Sequence, residues 1–179
     1  MRVKKIGEHG YEEALLGLSL NFNRNPADMP EVLFSLSGRD DGENKVLEMM
    51  CVWLDVTAPR YFWSQFDTYR IGISKSSQST MHTLTKKVLA QEDFATNIPE
   101  SYLEYLNSYL LKVKGREEGY TLQGLKGLLP EGFLQRRIIG ANYKSLRNIV
   151  RQRKSHKLPE WKKFCLEVRA QLRHPEFLD

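Results

Sequence analysis

Alternation of apolar residues marks one clear strand in the chain. Between residues 50 and 57, Val52, Leu54 and Val56 fall on one face and the intervening side chains fall on the other. A period of two residues is typical of a β-strand that buries one face. We therefore predict a strand over residues 50–57.

Apolar residues spaced three and four apart predict that much of the remaining chain is helical. This spacing is clearest in residues 99–112, and Thr121 is placed to cap a short helix that follows. Prolines open several of these stretches, and proline suits the first turn of a helix. The predicted helices cover residues 10–20, 60–70, 99–112, 122–128, 141–153 and 159–172.

Two polar stretches are predicted to be loops. Residues 38–44 form the first, and Gly72 with the serine-rich residues 74–79 forms the second. Glycine and small hydroxyl side chains in the second stretch would let the backbone approach a ligand closely. Since no internal repeat or linker divides the chain, we predict one α+β domain, mostly helical, over residues 1–179.

Charge adds a feature that the hydrophobic pattern does not show. The 179-residue chain has a formal net charge of +5, and one block near its C-terminus holds eight basic residues and no acidic one. Such a block attracts phosphate, on a nucleotide or on a nucleic acid. A solvated helix face is the alternative interpretation. The basic residues are Arg136, Arg137, Lys144, Arg147, Arg151, Arg153, Lys154 and Lys157.

The remaining composition gives no indication of a metal site, a disulfide or a membrane span. Cys51 and Cys165 lie far apart in apolar surroundings, so we expect small buried thiols in a reducing compartment. The four histidines are scattered, without the spacing of metal ligands. No apolar run approaches the roughly 18 residues that span a bilayer, and the basic N-terminus lacks the apolar segment of a signal peptide. We expect a cytoplasmic protein with no membrane partner.

Two stretches of sequence carry a recognisable pattern of polar residues. The first runs from Gly42 to Arg70 and takes in the predicted strand without a gap. The second has an asparagine, a serine-leucine pair beginning three residues later, a second asparagine, and an arginine eleven residues after the first asparagine. The residues that carry the pattern are Leu47, Glu48, Arg60, Gln65, Arg70, Asn142, Ser145, Leu146, Asn148 and Arg153. Over residues 10–170 the chain resembles the flavin-dependent thymidylate synthases.

This resemblance implies a fold and a reaction. It implies a small antiparallel sheet among the helices and a homotetramer that binds its ligands between subunits. The expected reaction is reductive methylation, or a related C5 modification, of a pyrimidine deoxynucleotide such as dUMP. FAD is the implied cofactor, with NADPH and methylenetetrahydrofolate as co-substrates, and no protein nucleophile is needed.

The resemblance also implies roles for individual residues. By its position Arg153 resembles the arginine that polarises the uracil ring, a task that suits a permanent cation. The residues implied in cofactor binding are Arg70, Ser74, Asn142 and Asn148. Those implied in substrate binding are Gln65, Lys75 and Ser79.

The signature loop of the family is altered in this chain. Thr68 and Tyr69 stand where the family has arginine and histidine, and Met81 stands for a further arginine if one residue is inserted in the loop. Lys45 and Lys75 are nearby candidates to replace the two arginines, but lysine lacks their bidentate fork. An alternative therefore stays open: a catalytically inactive homologue that binds a nucleotide or a nucleic acid through its basic C-terminal helix.

Overall fold

A four-stranded antiparallel sheet is the only sheet in the residues described here. The computed structural model describes residues 1–40 and 42–179, so Asp41 of the predicted loop at 38–44 lies outside the described residues. The strands are β1 (Arg2–His9), β2 (Cys51–Pro59), β3 (Ile73–Ser77) and β4 (Leu134–Asn142). Their order across the sheet is β1-β2-β4-β3.

Helices make up the larger part of the regular structure, which confirms the predicted α+β class. None of them, in the described residues, is both long and apolar enough to cross a membrane. The helices are α1 (Tyr11–Phe22), α2 (Pro30–Ser37), α3 (Arg60–Phe66), α4 (Thr80–Thr83), α5 (Glu100–Gly115), α6 (Leu122–Leu128), α7 (Tyr143–Arg153) and α8 (Pro159–Gln171).

Most of the predicted elements are present close to their predicted bounds. The strand at residues 50–57 is confirmed as β2, and its predicted inner face of Val52, Leu54 and Val56 is fully buried. Helices α1, α5, α6, α7 and α8 begin and end within three residues of the prediction. The predicted cap is also present, because the Thr121 hydroxyl accepts a hydrogen bond of 3.0 Å from the Gly124 amide.

Two local predictions are wrong. The helix expected over residues 60–70 ends at Phe66, so Arg70 does not lie on it. The aspartate and threonine that follow Phe66 are weak helix formers and begin a turn. The expected loop at Gly72–Ser79 is largely strand β3, since pairing with β4 recruits its serines into the sheet. Strands β1 and β4 were not predicted at all.

The chain divides into two compact units. The larger unit comprises residues 2–56, 67–76 and 138–179, and the smaller unit comprises Met1 with residues 57–66 and 77–137. A cluster of apolar side chains from α5, α6 and the neighbouring loops fills the core of the smaller unit. In the larger unit, Leu146, Ile149 and Val150 of α7 are buried, as are Trp161 and Phe164 of α8. That one domain spans residues 1–179 stays a prediction.

Candidate functional site

One cleft in the larger unit collects residues from three separated parts of the sequence. Its volume is about 940 Å³, and residues from the segments 40–48, 68–73 and 142–152 line it. Both family-like motifs contribute to the wall, although they lie in different halves of the chain. Their lining residues are Gly42, Glu48, Arg70, Asn142, Ser145 and Asn148.

The N-terminus of α7 forms one side of this cleft. Asn142 is its capping residue, and the side-chain Oδ1 accepts a hydrogen bond of 2.9 Å from the Ser145 amide. The Ser145 hydroxyl donates to the Ile71 carbonyl at 2.8 Å, and the Asn142 amide donates to the Gly72 carbonyl at 3.2 Å. These bonds hold the loop at residues 71–72 against the start of the helix. Asn142, Lys144 and Ser145 line the cleft, so the positive end of the helix dipole lies at its wall.

Gly72 makes this close approach possible. Its φ of 67° lies in the left-handed region, where a side chain is disfavoured. A β-carbon at this position would lie 2.5 Å from Asn142 Nδ2 and would also collide with the Ser145 hydroxyl. The sequence pattern indicated a loop whose backbone could approach a ligand closely, or a plain surface loop, but the glycine has a more specific role. It lets the backbone lie directly on the cap of α7.

Charged side chains line the cleft, and most of them are paired. Lys144 Nζ lies 2.6 Å from Glu48 Oε1, and Arg151 Nη1 lies 2.9 Å from Asp40 Oδ2. The hydrogen bond from Arg151 holds the pKa of the Asp40 carboxyl below its usual range. Arg70 is exposed and makes no ion pair or side-chain hydrogen bond with any residue that the structure describes. It is therefore the cation most readily offered to an anionic ligand.

Arg153 occupies a different environment at the end of α7. Its Nε donates a hydrogen bond of 2.8 Å to the Tyr69 hydroxyl, and its guanidinium carbon lies 4.7 Å from the ring centroid of Trp161. It is not one of the residues that line the cleft, but its partner Tyr69 is. The role expected for Arg153 stays a prediction, and the structure adds that its orientation is fixed by two aromatic side chains.

Arg147 differs from the other basic residues of α7 because it is buried, with 5% of its surface exposed. Its Nε donates to the Asp179 carbonyl at 2.7 Å, and its Nη1 and Nη2 donate to the carbonyls of Ser37 and Gly38. The interpretation of the basic block as one solvated face is therefore wrong for this residue. Arg147 satisfies three backbone acceptors inside the larger unit.

The other predicted site residues are more widely distributed. Ser74 and Lys75 lie on β3 in the larger unit but do not line the cleft, and Lys75 pairs with Asp67 at 2.9 Å. Gln65 on α3 and Ser79 before α4 belong to the smaller unit. A nucleotide contact by any of these four residues stays a prediction.

The cations that the altered signature loop lacks have counterparts elsewhere in the cleft. Thr68, at the position of a family arginine, lines the cleft, whereas the expected replacements Lys45 and Lys75 do not. Lys144 and Arg151 of α7 supply positive charge instead. Sequence reasoning placed both residues in the basic block but did not assign them to the site. The sequence signal that could have found them is their spacing: on the predicted helix they lie four residues before and three residues after Asn148, which places them on the same face.

Comparison with solved structures shows that the fold is a known one. The chain is similar to a structure of flavin dependent thymidylate synthase ThyX from Helicobacter pylori complexed with FAD and dUMP. The TM-score is 0.82 and the identity 15%, with 100% of this chain and 98% of the other covered. A second structure of Helicobacter pylori ThyX with FAD and dUMP gives a TM-score of 0.81 at 16% identity, covering 100% and 97%.

Sequence comparisons give one further match. No curated protein sequence matches the chain significantly. The family described as thymidylate synthase complementing protein matches residues 20–175, which is most of the chain. The resemblance seen in the two motifs is confirmed, and the chain belongs to the thymidylate synthase complementing protein family.

Proposed function

We propose that this protein binds FAD and uses it to methylate, or otherwise modify at C5, a pyrimidine deoxynucleotide such as dUMP. The observation that carries the proposal is the meeting of both motifs in one cleft. Glu48 and Arg70 come from the first motif, and Asn142 and Asn148 come from the second. The Helicobacter pylori relatives of this fold, which are complexed with FAD and dUMP, support the same ligands.

The chemistry of the cleft suits a dinucleotide cofactor. FAD carries two phosphates, and the positive end of a helix dipole attracts phosphate to the N-terminus of an α-helix. Arg70 and Lys144 add two cations to the cleft, and Arg151 adds a third from the last turn of α7. The side chains that would hold the flavin or its adenosine half are Asn142 and Asn148.

Arg153 is the residue that would act on the pyrimidine. Reduced FAD, when bound, supplies the hydride, and a folate donor supplies the carbon. What the protein must add is stabilisation of negative charge that develops on the base. A guanidinium stays cationic at every physiological pH and offers a planar pair of donors, so it can hold a carbonyl oxygen of the ring in a fixed geometry.

Assembly and compartment are part of the same proposal. We expect a homotetramer in the cytoplasm, with NADPH restoring the reduced flavin. Both cysteines are free thiols, and burial raises the pKa of the Cys165 thiol to about 11. Cys51 is half-buried rather than fully buried as predicted. Unpaired thiols are compatible with a reducing compartment.

A thermal melt tests the proposed ligands against the alternatives. Ligands that bind only the folded state raise the melting temperature, by about 5–10 °C for a protein of this size at about 100 times the Kd. We expect this rise with FAD, and a further rise with dUMP. A protein that responds only to an oligonucleotide, and loses the response in high salt, would instead be the nucleic-acid-binding homologue.

A matched pair of variants ties the response to the cleft. Arg70→Ala removes a cleft cation that has no ion pair among the described residues, so the apo protein should melt as wild type does while the FAD response falls. Arg24→Ala removes an exposed arginine that does not line the cleft. It should leave both the apo melt and the FAD response unchanged.

A further inference from the structure

Tyr69 links Arg153 to the wall of the cleft. Its hydroxyl accepts the 2.8 Å hydrogen bond from Arg153 Nε and donates one of 2.9 Å to Gln152 Oε1. A hydroxyl that accepts from a cation while donating to a neutral amide is polarised in one direction, which strengthens both bonds. Tyr69 and Gln152 both line the cleft.

The hydrogen-bond chain continues along α7. Gln152 Nε2 donates to Asn148 Oδ1 at 2.9 Å, one helical turn earlier. Asn148 lines the cleft, and because its Oδ1 is the acceptor in this bond, its Nδ2 group keeps its role as a donor. Three consecutive hydrogen bonds therefore join Arg153 to Asn148 by way of Tyr69 and Gln152.

Aromatic packing fixes the plane of the Arg153 guanidinium. Trp161 is fully buried and lies under the guanidinium, and the edge of Tyr69 packs on Trp161 with 6.0 Å between ring centroids. The bond to Tyr69 occupies the Nε edge. In the described part of the chain, no side chain or carbonyl takes a hydrogen bond from the two Nη groups. The bidentate end of Arg153 is thus available in one fixed direction.

We infer that Tyr69 and Gln152 are positioning residues, which hold Arg153 for recognition of a pyrimidine base and couple it to Asn148. The inference rests on the proposed function, because it takes the ligand of Arg153 to be the base. It also gives a role to the tyrosine at position 69, which departs from the family pattern. The tyrosine that replaces the signature histidine at position 69 supplies the hydroxyl that meets Arg153 Nε.

The experiment measures recognition of the base separately from recognition of the phosphate. FAD-loaded protein is titrated calorimetrically with dUMP and with 2-deoxyribose 5-phosphate, which has the same phosphate but no base. The ratio of the two affinities is the readout. Tyr69→Phe keeps the ring on Trp161 and removes only the hydroxyl. It should lower the ratio about fivefold through weaker dUMP binding, the size expected for one lost hydrogen bond.

A second variant adds a readout that a merely structural role would not change. In Tyr69→His the imidazole can accept from Arg153 only while it is neutral, and its unperturbed pKa is about 6.5. The affinity ratio of this variant should fall as the pH is lowered from about 8 to about 5.5, while that of wild type stays constant. Titration of the phosphate cancels, since both ligands carry it.

The outcomes separate the two claims. If wild type prefers dUMP and Tyr69→Phe keeps the full preference, the positioning role is overturned and the proposed function stands. If wild type binds both ligands equally, the proposed function fails and takes this inference with it. If Tyr69→Phe does not fold, Gln152→Met tests the positioning role instead, because the Gln152 side chain is exposed and its replacement should leave the fold intact. It should lower the ratio about twofold, and an unchanged ratio would overturn the inference.

Discussion

The hydroxyl of Tyr143, the first residue of α7, donates a hydrogen bond of 2.5 Å to the carboxylate of Glu8 on β1. Both side chains are buried. Burial by itself raises the pKa of Glu8, but hydrogen bonds from Lys5, from Tyr143 and from the Arg173 amide outweigh it and hold that pKa below its usual value. The pair fixes the start of the helix that carries most of the candidate site.

Glu8→Gln should destabilise the protein, and the loss should depend on pH. A hydrogen bond to a buried charged group contributes about 1.5–3 kcal/mol, which is the expected loss at pH 7. Because the folded-state pKa is lowered, this stability is present above the unfolded pKa of about 4.3 and disappears as the pH falls through the folded-state value. Urea unfolding at pH 7 and at about pH 3 measures it. A difference between variant and wild type that is equal at both pH values would contradict this explanation.

Arg147→Lys should lower the stability of the protein in the absence of any ligand. Lysine keeps the charge but cannot reach three carbonyls from one planar group, so buried acceptors are left unpaired at a cost of about 1–3 kcal/mol. For a chain of this length each kcal/mol lowers the melting temperature by about 2–4 °C. Arg24→Lys is the control. A melting temperature for Arg147→Lys equal to that of the control would show that these bonds contribute nothing.

Gly72→Ala should lower the unfolding free energy by more than the cost of placing an alanine at a positive φ. A non-glycine residue in the left-handed region costs about 1–2 kcal/mol. Gly119 has a similar φ of 82° but open space around it, so Gly119→Ala reports that cost alone. Gly72→Ala adds the collision with Asn142 and Ser145 and should lose stability further, together with FAD affinity. Equal unfolding free energies for the two variants would mean that the collision relaxes without cost.

The single chain leaves apolar side chains exposed, and we predict that an oligomer covers them. Leu16 and Leu20 of α1 and Phe34 of α2 are more than half exposed, and Leu20 reaches 75%. Patches of this kind mark interfaces. Light scattering should return a multiple of the chain mass of 20.9 kDa, and Leu20→Glu should lower it. A monomer mass at micromolar concentration would remove the proposed tetramer and any site shared between subunits.

Local sequence signals were sufficient where an element depends on its own residues. The alternation in β2, the cap at Thr121 and the apolar face of α7 all follow from nearest neighbours. Strand β3 was missed because its serines become a strand only by pairing with β4, which lies far along the chain. Pairing of that kind is not encoded in local propensity.

For the site, too, local sequence does not reveal contacts between residues that are far apart in the chain. Arg70, Asn142 and Asn148 of the two motifs line one cleft, and only a family pattern linked them beforehand, since it carries tertiary information that periodicity lacks. Arg147 was grouped with the other cations of the basic block because nothing near it in sequence reveals its acceptors at Ser37, Gly38 and Asp179. Tyr69 was seen only as a departure, and its bond to Arg153 became visible in the fold.

Turnover tests the central claim most directly. Protein loaded with FAD is incubated with dUMP, methylenetetrahydrofolate and NADPH, and the nucleotide product is analysed by mass spectrometry. We predict a C5-methylated nucleotide, and a kcat/KM that falls about tenfold or more in Arg153→Lys but not in Arg24→Lys. Protein that binds both FAD and dUMP, yet leaves the nucleotide unchanged, would contradict the account and identify a catalytically inactive nucleotide-binding homologue.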